Sequence, residues 1–520
     1  MASKMPPLVA NNTMPRALLV SEIFSNIISY VGTPQITGIP LRRSDSTILS
    51  RRTLFALALT CRAFSEQALD ALWETIVRIV PLLQCAAIIL PPKTLSQDDE
   101  DFCVIPTESQ LAIINRYAHR VRFLTMPYDQ LPGHVEYFLQ TFVCSSKVLL
   151  PNLRGLEHLT LITYYYKKCG GYEGDEEHVL PAFGMVIRSL PSSCPLLESF
   201  KVYVENWNCN ARDVLCDAFA RPLSHAIQNL QKLHTVVTPA ITKDALTHLG
   251  DLSSLTSLQT PLPTGSDLED ILGSSHGPFL FKNLESVDWV ITEWQDIEVL
   301  TRLWPRKLPT LSLQSNAIKF DAGALQVLFA ALHTREVFRY LQRIHLSDFQ
   351  SRSPHTEDIT IETIRPLFYL SHLQVVDFNM ASSIDIDNDD LEEMAQGWPC
   401  LEVLLLNEKR GCNAPNPVTL LGFVNFVDLC PRLKKLCIGI TLIDMDEDFD
   451  LDMKSLLNLE PRRDSDTLEY LKLTCPHDEK NIICDWGSRV GMLIAKLFPR
   501  VGPFGERDRE GEDRHEYYLV

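Results

Sequence analysis

The chain has 520 residues, 45% of them apolar and 22% charged, a balance ordinary for a folded protein of two or more domains or one long repeat array. Its net charge of −18 is unevenly spread: residues 1–80 hold eight Lys/Arg against five Asp/Glu, which leaves −21 on the remainder. So acidic a body argues against general nucleic-acid binding, and the lack of any run of eighteen apolar residues argues against a membrane span.

Residues 1–13 are expected to be disordered. The opening MASKMPPLVANNTMPRALL does not have the basic, apolar and small-residue layout of a signal peptide, so a cytoplasmic and/or nuclear location is expected. Fourteen scattered cysteines without a CxxC pair then read as reduced, buried thiols.

Two amphipathic patterns follow within residues 14–85. The first recurs at spacings of three and four through Leu19, Ile23, Ile27 and Tyr30, with Ser21 and Glu22 at its entry. The second runs through Leu54, Leu57, Cys61, Phe64, Leu69, Leu72 and Trp73, its stripe widened by Ala58 and Leu59. Between them Gly32–Ser50, with Pro34, Gly38 and Pro40, reads as a flexible loop. So small a module buries little surface alone, and apolar residues left over on both helices call for a partner.

The run VSEIFSNIISYV, followed by RRTLFALALTCRAFSEQALDALW and by Val80-Pro81-Leu82-Leu83-Gln84-Cys85, resembles the F-box motif, in the form found in basidiomycete fungi. Val20-Ser21 stands where that family opens with Leu-Pro or Ile-Pro. The resemblance implies a substrate-recognition subunit of an SCF-type ubiquitin ligase, with a Skp-type adaptor hanging it on a cullin scaffold. It points to Leu19, Ile23 and Ile27 on the first helix as adaptor-binding residues. On the second pattern it points to Leu54, Leu57, Leu59, Cys61, Phe64 and Trp73, some of which must form the module's own core.

After a connecting segment, 86–115, an L-x-x-L-x-L pattern returns from 116 to 480. It appears as Leu156-Leu159-Leu161, Leu197-Phe200-Val202, Leu284-Val287-Trp289, Leu341-Ile344-Leu346, Leu373-Val376-Phe378, Leu401-Leu404-Leu406, Leu433-Leu436-Ile438 and Leu468-Leu471-Leu473. Weaker copies fall at Val121-Leu124-Met126, Leu233-Val236, Leu255-Leu258 and Leu308-Leu311-Leu313. The closing L-x-L is a short strand with alternate side chains inward. Helices are expected at Ala211–Leu230, Asp321–Thr334, Ile361–Leu370, Asp389–Trp398 and Val418–Cys430. A strand plus a helix cannot bury its apolar face alone, whereas stacked copies share one core. The expected fold is α/β: an N-terminal all-helical F-box, then an irregular leucine-rich-repeat solenoid, or horseshoe. The alternative is a generic α/β domain with Leu-rich strands. Cys194-Pro195, Pro399-Cys400 and Cys430-Pro431 mark helix ends, because proline cannot continue the ladder. Residues 481–520 are expected to be a C-terminal cap and charged tail.

On such a sheet the residues flanking the inward pair face a protein substrate: Lys201, Tyr203, Asp288, His345, Asp377, Leu405, Asn407 and Lys472. No catalytic, cofactor or metal motif survives inspection. Gly273-Ser274-Ser275-His276-Gly277 has a helical run before it and Pro278 after it, so it reads as a turn instead of a nucleophile elbow. The alternating aspartates from Asp444 to Asp452 lack the calcium-loop Gly (Phe449 is sixth) and Glu (Ser455 is twelfth). The run Asp385–Asp390 fails in the same way and reads as a solvated acidic loop. The function expected is substrate recognition without catalysis, the alternative being a repeat scaffold or binding protein outside ubiquitin chemistry.

Overall fold

No glycine or proline interrupts Arg43–Thr60, and the whole stretch is one helix, α1. The loop expected over Gly32–Ser50 is therefore corrected from Arg43 onward, where the chain is helical; the breakers Pro34, Gly38 and Pro40 all precede that point in sequence and lie outside the described residues. This is a computed structural model; it describes residues 26–28, 43–60, 62–77, 79–88, 106–126, 150–160, 184, 187–204, 212–239, 241–262, 270–271, 273, 281–291, 307–315, 318–334, 336–348, 358–408, 418–440, 467–474, 489–498 and 501. The chain is mixed α/β with extensive parallel sheet, and it divides into two compact units, Met1–Asn206 and Trp207–Val520. The division falls inside the span read as one repeat array.

In the first unit α1 packs on α2 (Arg62–Glu74). Leu54 and Ala58 on one helix and Phe64 and Ala68 on the other, each pair one turn apart, bury a small core that also takes in Ile28. Strand β1 (Thr75–Val77) follows at once, then the short helix α3 (Val80–Cys85). Helix α4 (Glu108–Ala118) opens where a connecting segment was expected. Thr107 starts it with a capping box: its hydroxyl accepts from Gln110 N at 3.3 Å, and Gln110 Oε1 accepts from Thr107 N at 2.9 Å. Strands β2 (Phe123–Met126), β3 (Gly155–Thr160) and β4 (Ser199–Val204) complete a parallel order β1-β2-β3-β4.

The sheet register corrects one repeat. Leu156 lies beside Leu124 and Phe200, so the frame in β3 is Leu153-Leu156-His158 and not Leu156-Leu159-Leu161. Leucines at 153, 156, 159 and 161 offer two overlapping frames, and the neighbours choose between them. Arg154 N and Gly155 N both donate to Arg122 O, and a Cβ on Gly155 would sit 2.6 Å from the Phe123 ring. Leu153 is buried, Leu159 pairs with Tyr203, and Leu161 lies outside the described residues.

Among the described residues of the second unit nine strands run parallel, each hydrogen-bonded to the next. They are β5 (Thr235–Val237), β6 (Ser257–Pro261), β7 (Ser286–Ile291), β8 (Thr310–Ser315), β9 (Arg343–Asp348), β11 (Val375–Asn379), β13 (Val403–Leu406), β14 (Lys435–Gly439) and β15 (Tyr470–Thr474). A separate two-stranded pair joins β10 (Ile359–Thr360) to β12 (Ile384–Asp385). Between strands lie α5 (Arg212–Gln228), α6 (Lys243–Asp251), α7 (Ala322–Thr334), α8 (Ile361–Ile364) with a 3-10 turn Arg365–Tyr369, α9 (Asn388–Gly397) and α10 (Leu420–Leu429). Helix α11 (Arg489–Leu497) is the last helix among the described residues, and Phe498 just beyond it meets the α10 ring of Phe423 at 5.7 Å. Gly505–Val520, the expected charged tail, lies outside the described residues.

The three inward positions of each pattern align from strand to strand. Leu284, Leu308, Leu341, Leu373, Leu401, Leu433 and Leu468 are all buried at the first. Val287, Leu311, Ile344, Val376, Leu404, Leu436 and Leu471 are buried at the second. At the strand entrances one carbonyl repeatedly takes two N–H donors from the following strand-helix unit. Pro309 O takes Gln342 and Arg343, Gln342 O takes Gln374 and Val375, and Gln374 O takes Glu402 and Val403. Cys194 and Cys430 sit at helix ends before prolines and are buried, and burial pushes both thiols up to about 12, so they pack as small apolar groups. The acidic run Asp385–Asp390 is not a loop: Asp385 ends β12, and Asp387 with Asp390 forms the capping box of α9. Burial, with Asp358 and Asp387 nearby, pushes the Asp385 carboxyl up.

Past the strand ends a buried polar chain links neighbouring strand-helix units. Asp348, 1% exposed, accepts from Phe320 N at 3.2 Å and from Ala381 N at 3.0 Å. Ser382 donates to Phe320 O, and Asn407 accepts from Met380 N at 2.8 Å while donating to Ser382 O at 3.0 Å. Asn407 adopts a left-handed backbone, φ 54°, which asparagine tolerates well. Four successive strand-helix units, those of β8, β9, β11 and β13, are tied together this way. Asp348→Ala strands two buried backbone donors and is expected to cost about 2–4 kcal/mol in urea unfolding. A loss under about 0.5 kcal/mol would mean the chain of bonds carries no weight.

Candidate functional site

The helix pair sorts the expected adaptor residues into two kinds. Leu54 and Phe64 are buried in the pair's own core, and Leu57 packs half-buried against it. Ile27 and Leu59 point outward, Leu59 being 71% exposed. Phe55, 55% exposed, joins Leu59 one turn away on α1 and was not singled out by periodicity. Its signal was the i, i+4 spacing to Leu59, hidden by the neighbouring Leu54 in a stripe wider than one face. Leu19, Ile23 and Cys61 lie outside the described residues.

Trp73 is used within the unit. Its ring meets Tyr117 of α4 at 5.1 Å with a 31° tilt. Beside it Arg120, its side chain 9% exposed, donates to the carboxylates of Glu66 and Asp70 and, at 3.2 Å, to Glu66 O. Arg51 of α1 donates to Thr75 O at the start of β1. The helix pair is therefore bound to the first strands through aromatic packing, ion pairs and the direct run from α2 into β1. The Arg120 hydrogen bond and charge hold the Glu66 carboxyl below its usual range. A depressed carboxylate contributes stability above its unfolded pKa and loses it as pH falls through the folded value. Arg120→Ala is expected to lower the melting temperature at neutral pH. The gap from wild type should shrink below the ordinary carboxylate range, read by paired thermal melts at pH 7 and pH 3.

A second surface lies on the sheet's outward side, where strand residues alternate with the buried ones; β7 shows this as half-buried Ser286, Asp288 and Val290 between buried neighbours. In the first unit Lys201 and Tyr203 stand half-buried on β4. In the second unit Gln259, Asp288, Ser312, His345, Asp377, Leu405, Cys437 and Lys472 form one register row across eight strands, Ser312 and Cys437 being buried within it. Asp288 accepts from Ser312 Oγ at 2.8 Å and from Gln314 Nε2 at 2.7 Å. Burial pushes its carboxyl up, against the Ser312 bond, the charge of His345 and the Gln314 bond. His345 Nδ1 lies 2.8 Å from Asp377 Oδ2. At the far end Lys472 donates to Glu408 O at 2.7 Å, and Tyr470 donates to the Glu408 carboxylate. Asn407 leaves the outward set: it is 2% exposed and its amide is spent on the buried chain past the strand ends.

Among the described residues no group of three or more His, Cys, Asp or Glu side chains is placed to hold a metal ion, and no helix is long and apolar enough to cross a membrane. Ser275 of the glycine-rich stretch and the aspartates 444–452 lie outside the described residues. The two surfaces are an apolar patch on paired helices and a polar row on a sheet. No protein-family model matches the chain, and no curated protein matches it in sequence.

Proposed function

We propose that the chain is a substrate-recognition subunit of an SCF-type ubiquitin ligase, its helix pair an F-box and its strand-helix units leucine-rich repeats. The observation that carries the reading is the outward pair Phe55 and Leu59 on a helix pair whose core Leu54, Ala58, Phe64 and Ala68 already close. Large apolar side chains left in water beside a finished core are what a docking module presents before its partner arrives. The in-register L-x-x-L-x-L strands support the second half.

The work in this reading is positional. The helix pair holds a Skp-type adaptor and, through it, a cullin scaffold, and the outward sheet row holds a protein substrate. A separate enzyme delivers ubiquitin, and the rate gain comes from raising the effective concentration of a substrate lysine.

The test is co-purification of the full chain with the adaptor. Wild type is expected to capture it, and Leu59→Asp to lose capture while keeping its circular dichroism and melting temperature. Leu54→Asp, which puts a charge in the helix core, is expected to unfold the pair instead. Failure of folded wild type to capture the adaptor would replace this reading with a repeat scaffold outside ubiquitin chemistry.

A further inference from the structure

We infer that the outward row between β6 and β11 seats a basic side chain, arginine or lysine, of an extended protein segment. The substrate-receptor reading is needed only to say what supplies that segment. Gln259, Asp288, Ser312, His345 and Asp377 are neighbours in register on five consecutive strands, which spaces them over about 19 Å at ~4.8 Å per strand. That length suits about six residues of extended chain.

The row is a field of acceptors. Each carboxylate has room for about four hydrogen bonds. Asp288 receives Ser312 and Gln314, and Asp377 receives His345. Gln259 Oε1 at one end and Asn379 Oδ1 beside Asp377 at the other are shielded from water and have no hydrogen-bond partner among the described residues. A buried acceptor without a donor gains the most from an incoming N–H. No lysine or arginine stands in this row between Gln259 and Asp377, nor in the next one along the strands, Pro261, Val290, Gln314, Ser347 and Asn379.

The flanking cations mark the field's limits. Arg343 is exposed two residues before His345, at the strand entrance, and the Lys472 ammonium is engaged with Glu408 O. The acidity of the chain beyond residue 80 adds long-range attraction for a cation. An inorganic ion is a poor fit, since no group of three ligating side chains converges here among the described residues. A guanidinium or ammonium brings three to five donors on a long stem, enough to reach one carboxylate of the row, Asp288 or Asp377, with the neighbouring acceptors around it.

The experiment uses the full chain on an array of nonapeptides in a Gly/Ser/Ala background, with two adjacent central positions varied over all residue types. At about 0.15 M salt the retained peptides are expected to be enriched in Arg or Lys over Asp, Glu and apolar residues. Asp288→Asn with Asp377→Asn should weaken the best peptide by about ten-fold or more in fluorescence polarisation. Val327→Asp on α7, an exposed position away from the row, should leave it unchanged. Asparagine keeps the shape of both side chains, and Asp377→Asn alone serves if the double variant fails to fold. No retention, retention indifferent to basic residues, or binding that survives loss of the carboxylates would each overturn the inference. Adaptor capture from the same preparation separates the two readings. Basic-peptide binding without capture sinks the ligase role alone, and capture without basic selectivity sinks this inference alone.

Discussion

A strand of four to six residues with one helix behind it has too little surface to hide its own leucines, and the whole chain is arranged around that constraint. Each inward residue is covered by the same position of the next strand. The alignment tolerates no slip, because a shift of one residue would turn every inward side chain out. A doubly bonded carbonyl at most of the strand entrances pins it in backbone atoms, independent of the inward side chains; β8 makes a single bond to Glu285 O because Pro309 has no N–H. That independence lets the inward positions vary from Leu311 to Trp289 to Thr260 without breaking the ladder.

The two surfaces follow from the same constraint in opposite ways. On the sheet, alternation sends every second side chain outward, so a row of polar groups forms at no cost to the core and can be varied by strand. His345 and Asp377 are 32 residues apart, yet lie side by side because their strands are in register. On the helix pair the apolar stripe is wider than one interface. The core takes Leu54 and Ala58, and Phe55 and Leu59 are what remains.

Much of this was legible in the residues. β9, β11 and β13 carry large apolar side chains at all three inward positions, and their strands fall where the pattern put them. β5 and β6 read faintly because a small polar residue, Thr238 or Thr260, fills the third inward place, and both are buried. The register of β3 was ambiguous in one dimension, since four leucines allow two frames and only the neighbouring strands select one. Helix α6 escaped because KDALTHLGD is short and has few apolar positions to show a period. On the helix pair, which leucine faces inward could not be read from a stripe in which adjacent residues are both apolar. The pairing of Arg120 with Glu66 and Asp70, fifty residues away, had no local signal at all.

Cys194 and Cys430 give the molecule an unplanned property. One thiol lies in each compact unit, each is sealed at a helix end, and at about 12 neither is a thiolate at neutral pH. An alkylating reagent can reach either sulfur only when the surrounding segment opens. The rate at which each cysteine is modified therefore times the breathing of its own unit, and the two rates, read by mass from one sample, show whether the units open together or apart.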